Sequence, residues 1–187
     1  MYAFEYHRPS TVAEAVSLLQ GASEAKLLAG GHTLIPTLKQ RLASPSNIID
    51  LGAITELKGI REDGDRLVIG ALTTYSEVVE SATARNAIPA LAQLASHIGD
   101  SQVRNRGTIG GSIANNDPAS DYPAAVLGLN ATVRTNQREI AADDFFLGMF
   151  ETALADDEVV VSVSFPKPAK AGYMKFPTRR AAMPSSA

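Results

Sequence analysis

The stretch Gly107-Thr108-Ile109-Gly110-Gly111-Ser112-Ile113-Ala114-Asn115-Asn116-Asp117-Pro118-Ala119-Ser120-Asp121 sets three glycines, two asparagines, two aspartates and a proline between apolar segments. Paired glycines let the backbone reach positive φ and approach another group with no Cβ in the way. Backbone N–H groups freed in such a turn converge on an anion. An apolar run, Ala124, Ala125, Val126 and Leu127, then begins a helix. The pattern suits a phosphate-bearing ligand. It suits equally a surface turn in which Asp117 or Asp121 is a helix N-cap.

A second glycine pair stands upstream. Lys26-Leu27-Leu28-Ala29 reads as a short apolar strand and runs into Gly30-Gly31-His32-Thr33, followed by Leu34, Ile35, Leu38 and Leu42 at helical spacing. A helix start after a strand and a tight turn offers unpaired N–H groups and a partial positive charge. The alternative is a plain strand-to-helix turn with His32 on the surface. Neither pair matches the Rossmann G-x-G-x-x-G, and nothing matches G-x-x-x-x-G-K-[ST]. A nucleotide would be bound here by another scheme.

Composition narrows the partners. The 187 residues include 17 Lys and Arg against 20 Asp and Glu, a net charge of -3, which gives no electrostatic case for nucleic acid. There is no cysteine, which excludes disulfides, cysteine-ligated zinc and an iron–sulfur cluster held by this chain. Asn115, Asp117 and Asp121 lack the glycine and terminal glutamate spacing of a calcium loop, and His7, His32 and His97 are scattered, so neither a metal site nor a catalytic triad is expected. No run approaches the ~20 apolar residues of a membrane helix, and residues 1–9 hold no apolar signal core. The expected location is cytoplasmic.

The remaining elements follow from local signals. Residues 4–6 read as a strand. Thr11 and Glu14 frame a capping box ahead of Val12, Ala15, Val16 and Leu19, with Gly21 as the stop. Asn47 to Leu51 reads as a third strand, so the start of the chain is a small α/β unit with parallel pairing. Asp63-Gly64 then marks a hairpin, Thr74 and Glu77 a second capping box, and Pro89 the start of a helix stopped at Gly99. Asp100 to Arg106 reads as a polar lead into the glycine motif, with Arg104 and Arg106 either solvated or meeting phosphate. A second hairpin is expected around Asn136-Gln137. Phe145, Phe146 and Phe150 are expected in the core or between lobes, Glu158 to Phe165 as the strongest strand, and Tyr173 to Phe176 as a last one. The lobe boundary falls near Gly52.

Two glycine turns, one in each lobe, invite a ligand lying between them. Residues 29–36 resemble the first flavin motif, and 102–114 with 117–121 the second, of the FAD-binding medium subunits of molybdenum hydroxylases such as carbon monoxide and xanthine dehydrogenases. The resemblance spans nearly the whole chain. It implies an α+β, two-lobed FAD-binding fold of the vanillyl-alcohol oxidase-like (PCMH) type, with a small parallel α/β lobe at 1–52 and a larger, mainly antiparallel lobe at 53–176. It also implies site residues. Leu27, Leu28, Ala29, Gly30, Gly31, His32, Thr33 and Leu34 would wrap the pyrophosphate. Ile98 and Gly99 would lie near the flavin, and Thr108, Gly110, Gly111 and Asn115 would hold the phosphate and sugar. Asp121 would accept from an FAD hydroxyl, Val160 would touch the cofactor, and Lys175 would be the last family position.

The implied role is electron transfer within a heterotrimer. A large molybdopterin subunit would oxidise the substrate. A small subunit would pass electrons through its [2Fe–2S] clusters to this chain's FAD, and from there to NAD, oxygen or a quinone. The alternatives are a stand-alone FAD oxidoreductase of the same fold and a scaffold without flavin. A further domain normally follows the region of Lys175-Phe176 in the family. The segment 177–187 is therefore expected to be a tail where that domain would begin, with the flavin-ring side more open.

Overall fold

The computed structural model describes residues 1–176, so the tail expected at 177–187 lies outside the described residues. Two sheets of opposite character divide the chain. The first is parallel and has the order β1-β3-β2, from β1 (Glu5–His7), β2 (Ala25–Leu28) and β3 (Asn47–Asp50). The connections are α1 (Val12–Gly21) and α2 (Leu34–Lys39). Parallel neighbours need such crossovers, which is why strand and helix alternate here.

Local chemistry sets these elements, with two departures from pattern. The Thr11 side chain accepts from the Glu14 amide, as a capping residue should, but the Glu14 carboxylate returns to the amide and hydroxyl of Ser10 instead. In α2 the expected periodicity breaks early, and Leu42 is 73% exposed. Arg41 takes φ +59°, its amide donates to Leu38 O and the Leu42 amide donates to Thr37 O. That is a Schellman stop with arginine at the position usually given to glycine, so the sequence carries no visible signal for it.

The second sheet is antiparallel, with the order β4-β5-β10-β6-β7. It is built from β4 (Ile60–Asp63), β5 (Arg66–Gly70), β6 (Thr132–Thr135), β7 (Glu139–Ala141) and the long central β10 (Val160–Pro166). Asp63 pairs with Arg66 across a two-residue turn in which Gly64 has φ +58°. Between β5 and β6 run α3 (Tyr75–Glu80), α4 (Ala82–Ala87), α5 (Pro89–Ser96), α6 (Ser101–Arg106), α7 (Ile109–Asn115) and α8 (Tyr122–Gly128). Between β7 and β10 lie α9 (Ala142–Phe145) and a small hairpin of β8 (Phe146–Gly148) and β9 (Glu151–Thr152).

Several expectations are corrected. The polar segment after Asp100 is helix α6, capped by the Asp100 carboxylate on the Val103 amide at 2.9 Å. Its one apolar residue, Val103, gives no periodicity to read. The first half of the opening glycine motif is also helical, as α7. Phe145 is fully buried against Phe146, but Phe150 is 59% exposed. Tyr173 to Phe176 forms no strand.

The apolar interior has two parts. The larger lies under the antiparallel sheet and contains Leu67, Ile69, Ile88, Leu91, Ile109, Val163 and Phe165. The smaller joins Ala15, Ile49 and Leu51 from the parallel lobe to Ile54, Leu57, Leu72 and Val159. Strand β10 serves both, because Val163 and Phe165 enter one cluster while Val161 packs on the other. No helix among the described residues is long and apolar enough to cross a membrane.

Candidate functional site

Where the sheets meet, a cleft of about 700 Å³ opens between the two glycine turns. That is inside the range of about 300–1,000 Å³ typical of ligand sites. Of the predicted residues, Leu27, Ala29, Gly30, Gly31, His32, Thr33 and Leu34 line one wall. Thr108, Gly110, Gly111 and Asn115 line the other, and Val160 is on the floor. Leu28, Ile98, Gly99, Asp121 and Lys175 do not line it.

The two walls are chemically unlike. On the lobe-1 side, the amides of Gly30, Gly31, His32, Thr33 and Leu34 have no acceptor among the described residues. Gly31 sits at φ +80°, the left-handed conformation that turns successive N–H groups into a nest. Five consecutive donors without a protein acceptor, at the start of α2 and on the cleft surface, form a nest of the shape that suits an anion. Of the two readings of the basic pair Arg104 and Arg106, the phosphate-meeting one finds no support in the cleft lining. The Arg104 guanidinium donates to Ile98 O and Gly99 O at 3.2 and 3.0 Å, closing the end of α5, and neither Arg104 nor Arg106 lines the cleft.

On the lobe-2 side the amides are already engaged. Ile109 N donates to Thr73 O, Gly110 N to Ala71 O, Gly111 N to the Thr108 hydroxyl and Ser112 N to Thr108 O. The glycines of this motif serve packing. A Cβ on Gly110 would meet Ala71 Cβ at 2.6 Å and Ala71 O at 2.8 Å, and one on Gly107 would strike the Tyr75 ring at 2.5 Å. Gly111 faces the opposite lobe, with its Cβ position 3.5 Å from Ala29 Cβ. The two turns therefore touch. Gly30 is the tightest point, where a Cβ would fall 1.9 Å from Arg106 O.

What lobe 2 adds to the cleft is a polar side-chain wall. The hydroxyls of Ser112 and Ser120 are 2.5 Å apart, and Tyr75 lines the same surface. Burial pushes the Tyr75 phenol up, and more strongly that of Tyr122, whose ring is 5.0 Å from Tyr75. Further along, Glu158 lines the cleft with its side chain fully buried. Arg138 holds it through two bonds of 2.9 and 3.0 Å, and the Thr135 hydroxyl and Ala155 amide add two more. These bonds, Arg138 foremost, hold the Glu158 carboxyl down to about 2. Sequence reading misses Tyr75, Ser112, Ser120 and Glu158 as site residues. The serines lie inside the quoted motif, whereas Tyr75 and Glu158 carry no local mark.

The predicted residues outside the cleft form a second group. The Asp121 carboxylate accepts from the Tyr173 hydroxyl at 2.5 Å and from Lys175 Nζ at 2.8 Å. Asp121 stands at the start of α8 but makes no side-chain capping bond, which corrects the N-cap alternative. Asp117 instead turns its carboxylate onto the Ala119 amide at 2.8 Å. The Tyr173 ring lies 6.2 Å from His97, so residues 173–175 are fastened beside the α5–α6 junction that holds Ile98 and Gly99. Burial first, then Asp121, raises the Tyr173 phenol to about 12. Among the described residues, no three His, Asp or Glu side chains are grouped to hold a metal.

Comparison with known proteins matches residues 2–168 to the family of FAD-binding domains in molybdopterin dehydrogenase. The carbon monoxide dehydrogenase medium chain of Hydrogenophaga pseudoflava is 47% identical over 168 residues, which cover 87% of this chain and 58% of that protein. The nicotine 6-hydroxylase medium subunit of Paenarthrobacter nicotinovorans is 38% identical over 182 residues, 95% of this chain and 64% of that one. In three dimensions the chain superimposes on the Hydrogenophaga pseudoflava carbon monoxide dehydrogenase structure that lacks the Mo-pyranopterin moiety of the molybdenum cofactor. The TM-score is 0.87 at 46% identity, over 90% of this chain and 60% of that one. The chain thus spans about 60% of the length of these relatives.

Proposed function

The chain belongs to the family of FAD-binding domains in molybdopterin dehydrogenase, whose cofactor is FAD, and from that premise we propose that FAD lies along the cleft and makes this chain the electron-transfer subunit of a molybdenum hydroxylase. The observation that carries the reading is the row of five unpartnered amides at Gly30 to Leu34. A pyrophosphate needs several converging donors, and each bond from an amide to a charged acceptor contributes about 1.5–3 kcal/mol. The residues present fit the group: the donors are free, Gly31 holds the turn open, and the neighbouring wall offers neutral hydroxyls to a polyol and sugar.

Roles divide accordingly. The amides of residues 30–34 hold the anionic centre of the cofactor, with Leu27, Leu28 and Ala29 backing the turn. Thr108, Gly110, Gly111 and Asn115 form the opposing wall, Gly110 by letting α7 settle on Ala71 and Gly111 by admitting Ala29. Val160 supports the floor. Ile98 and Gly99, outside the cleft lining, are assigned to the flavin end, and Asp121, which Tyr173 and Lys175 hold in place, to accepting from an FAD hydroxyl. FAD supplies the ability to accept and release electrons singly or in pairs. Electrons would arrive from [2Fe–2S] clusters of a small partner subunit, fed by a large molybdopterin subunit, and leave to NAD, oxygen or a quinone.

Two measurements test this. Titrating the purified chain with FAD should give saturable binding that ADP competes for, because ADP carries the same pyrophosphate. Metal and flavin analysis of the complex that co-purifies with the chain should find molybdenum and iron beside FAD. Absence of saturable FAD binding would sink the placement in the cleft, and a complex with flavin but no molybdenum or iron would sink the assignment to a molybdenum hydroxylase.

A further inference from the structure

The turn from β6 to β7 holds one end of the cleft without reaching into it. Leu154, Ala155, Asp156, Glu158 and Val159 line the cleft, whereas residues 135–138 do not. Yet each of those four residues bonds the lining segment. The Thr135 hydroxyl donates to Glu158 Oε1 at 2.6 Å. The Asn136 side chain accepts from the Val159 amide at 2.7 Å, and the Asn136 amide donates to Val159 O at 3.0 Å. Gln137 Nε2 donates to Asp157 Oδ1 at 3.1 Å. Arg138 grips both oxygens of Glu158 at 2.9 and 3.0 Å and donates to Ala153 O at 2.7 Å. Residues 153–159 are thereby bracketed along their length by one short turn.

The facing wall shows which end of the cleft this is. Leu19, Ala25 and Leu27 of lobe 1 line the same cleft and pack in one apolar cluster with Val159. Asp157 spans the two lobes, because its other oxygen accepts from Gln20 Nε2, near the end of α1, at 2.8 Å. The nest lies past the opposite end of β2. A strand advances ~3.3 Å per residue, so Ala25 and Gly30 stand up to about 16 Å apart. In the nest His32 Nε2 is 3.2 Å from Gln102 O of α6. That is the side of Ile98 and Gly99, the flavin side. The segment 153–159 and the start of β2 bound the other side of the nest, where the nucleoside of FAD extends.

We propose that Arg138 is a positioning residue for the adenosine half of FAD, and that with Thr135, Asn136 and Gln137 it sets the gap between residues 153–159 and β2 that the nucleoside enters. This rests on the reading of the cleft as an FAD site. Arg138 acts through Glu158, whose side chain is fully buried and cannot hold the wall alone. A wall already ordered before the ligand arrives lowers the ordering cost of binding. FMN ends at its phosphate and has no nucleoside to meet this wall, so the bracket matters to FAD and ADP only.

The test titrates the full chain with FAD, with FMN, and with ADP as a competitor that displaces FAD. Arg138→Lys keeps the charge but loses the two-pronged hold on Glu158. It should weaken FAD and ADP by about tenfold or more and leave FMN unchanged. Gln137→Ala removes only the exposed bond to Asp157. It should melt together with wild type and still weaken FAD and ADP severalfold, and it decides alone if Arg138→Lys does not fold. A folded variant that holds FAD and ADP as tightly as wild type would overturn the positioning role and leave the FAD reading standing. So would Arg138→Lys weakening FMN as much as FAD, because that marks a general loosening of the fold. A wild-type chain with no saturable FAD binding would overturn both.

Discussion

Replacing Gly30 by alanine separates a turn that serves the cofactor from one that merely joins a strand to a helix. A Cβ there would lie 1.9 Å from Arg106 O, 2.8 Å from Arg106 C and 3.2 Å from Gly107 Cα. Carbon–oxygen contacts settle near 3.3 Å, so the turns must part by about 1.4 Å. All three atoms are backbone, and the Gly107 amide is tied to Val103 O, so no side chain can swing aside. Overpacking of this sort costs about 1–3 kcal/mol, and the upper end is expected. The amides of residues 30–34 move with the turn. A donor displaced by more than 1 Å leaves hydrogen-bond range. Losing two such bonds at about 1.5 kcal/mol each lowers FAD affinity about a hundredfold or more. Urea unfolding and FAD titration of Gly30→Ala measure the two effects. Gly21→Ala is the control, because nothing lies within 4 Å of its Cβ position in α1, and it should be neutral or slightly stabilising. Stability within ~0.5 kcal/mol of wild type and unchanged FAD affinity would refute the argument. Lost stability with unchanged affinity would detach the turn from FAD.

Two further outcomes are expected. The Glu158 carboxyl is held at about 2 in the fold against 4.5 ordinarily. Its stabilisation is therefore full above the unfolded value and is lost as pH falls from about 4.5 toward 2, by no more than about 3 kcal/mol. Urea unfolding of wild type and Glu158→Gln at pH 6 and pH 3 should show the smaller pH loss in the variant, and equal losses would contradict the assignment. Asp121→Ala should release residues 173–175 and let the Tyr173 phenol fall from about 12 toward its ordinary 10, though burial keeps it above that. Ultraviolet titration against Tyr173→Phe detects this, and no change would mean that Asp121 does not hold the segment.

Most of the framework was legible because it is written in short-range signals. The capping box at Thr74, the turn at Gly64 and the alternation feeding β10 each rest on residues a few positions apart. The glycine pair at Gly30-Gly31 was legible for the same reason, since a left-handed turn between strand and helix has few solutions. The division of labour between the two glycine motifs was not. Gly110 is required by Ala71, and Gly107 by Tyr75, and both neighbours are supplied by a segment over thirty residues upstream. Helices α6 and α7 escaped because one lacks apolar periodicity and the other carries Gly-Gly in its first turn, whose propensity argues against a helix. Arg41 and Phe150, both left-handed, escaped because neither residue type announces that conformation.

The small apolar cluster shared by the two sheets bears on how this architecture can be divided. Ile49 and Leu51 are covered partly by Leu72 and Val159, which arrive from beyond the nominal boundary near Gly52. A cut there would leave each piece with a greasy scar and an unfinished sheet face, so neither half is a portable module. The protein should melt in a single transition, its calorimetric and van't Hoff enthalpies equal. Shuffling lobes between relatives would succeed only if Ala15, Ile49, Leu51, Leu72 and Val159 travelled together.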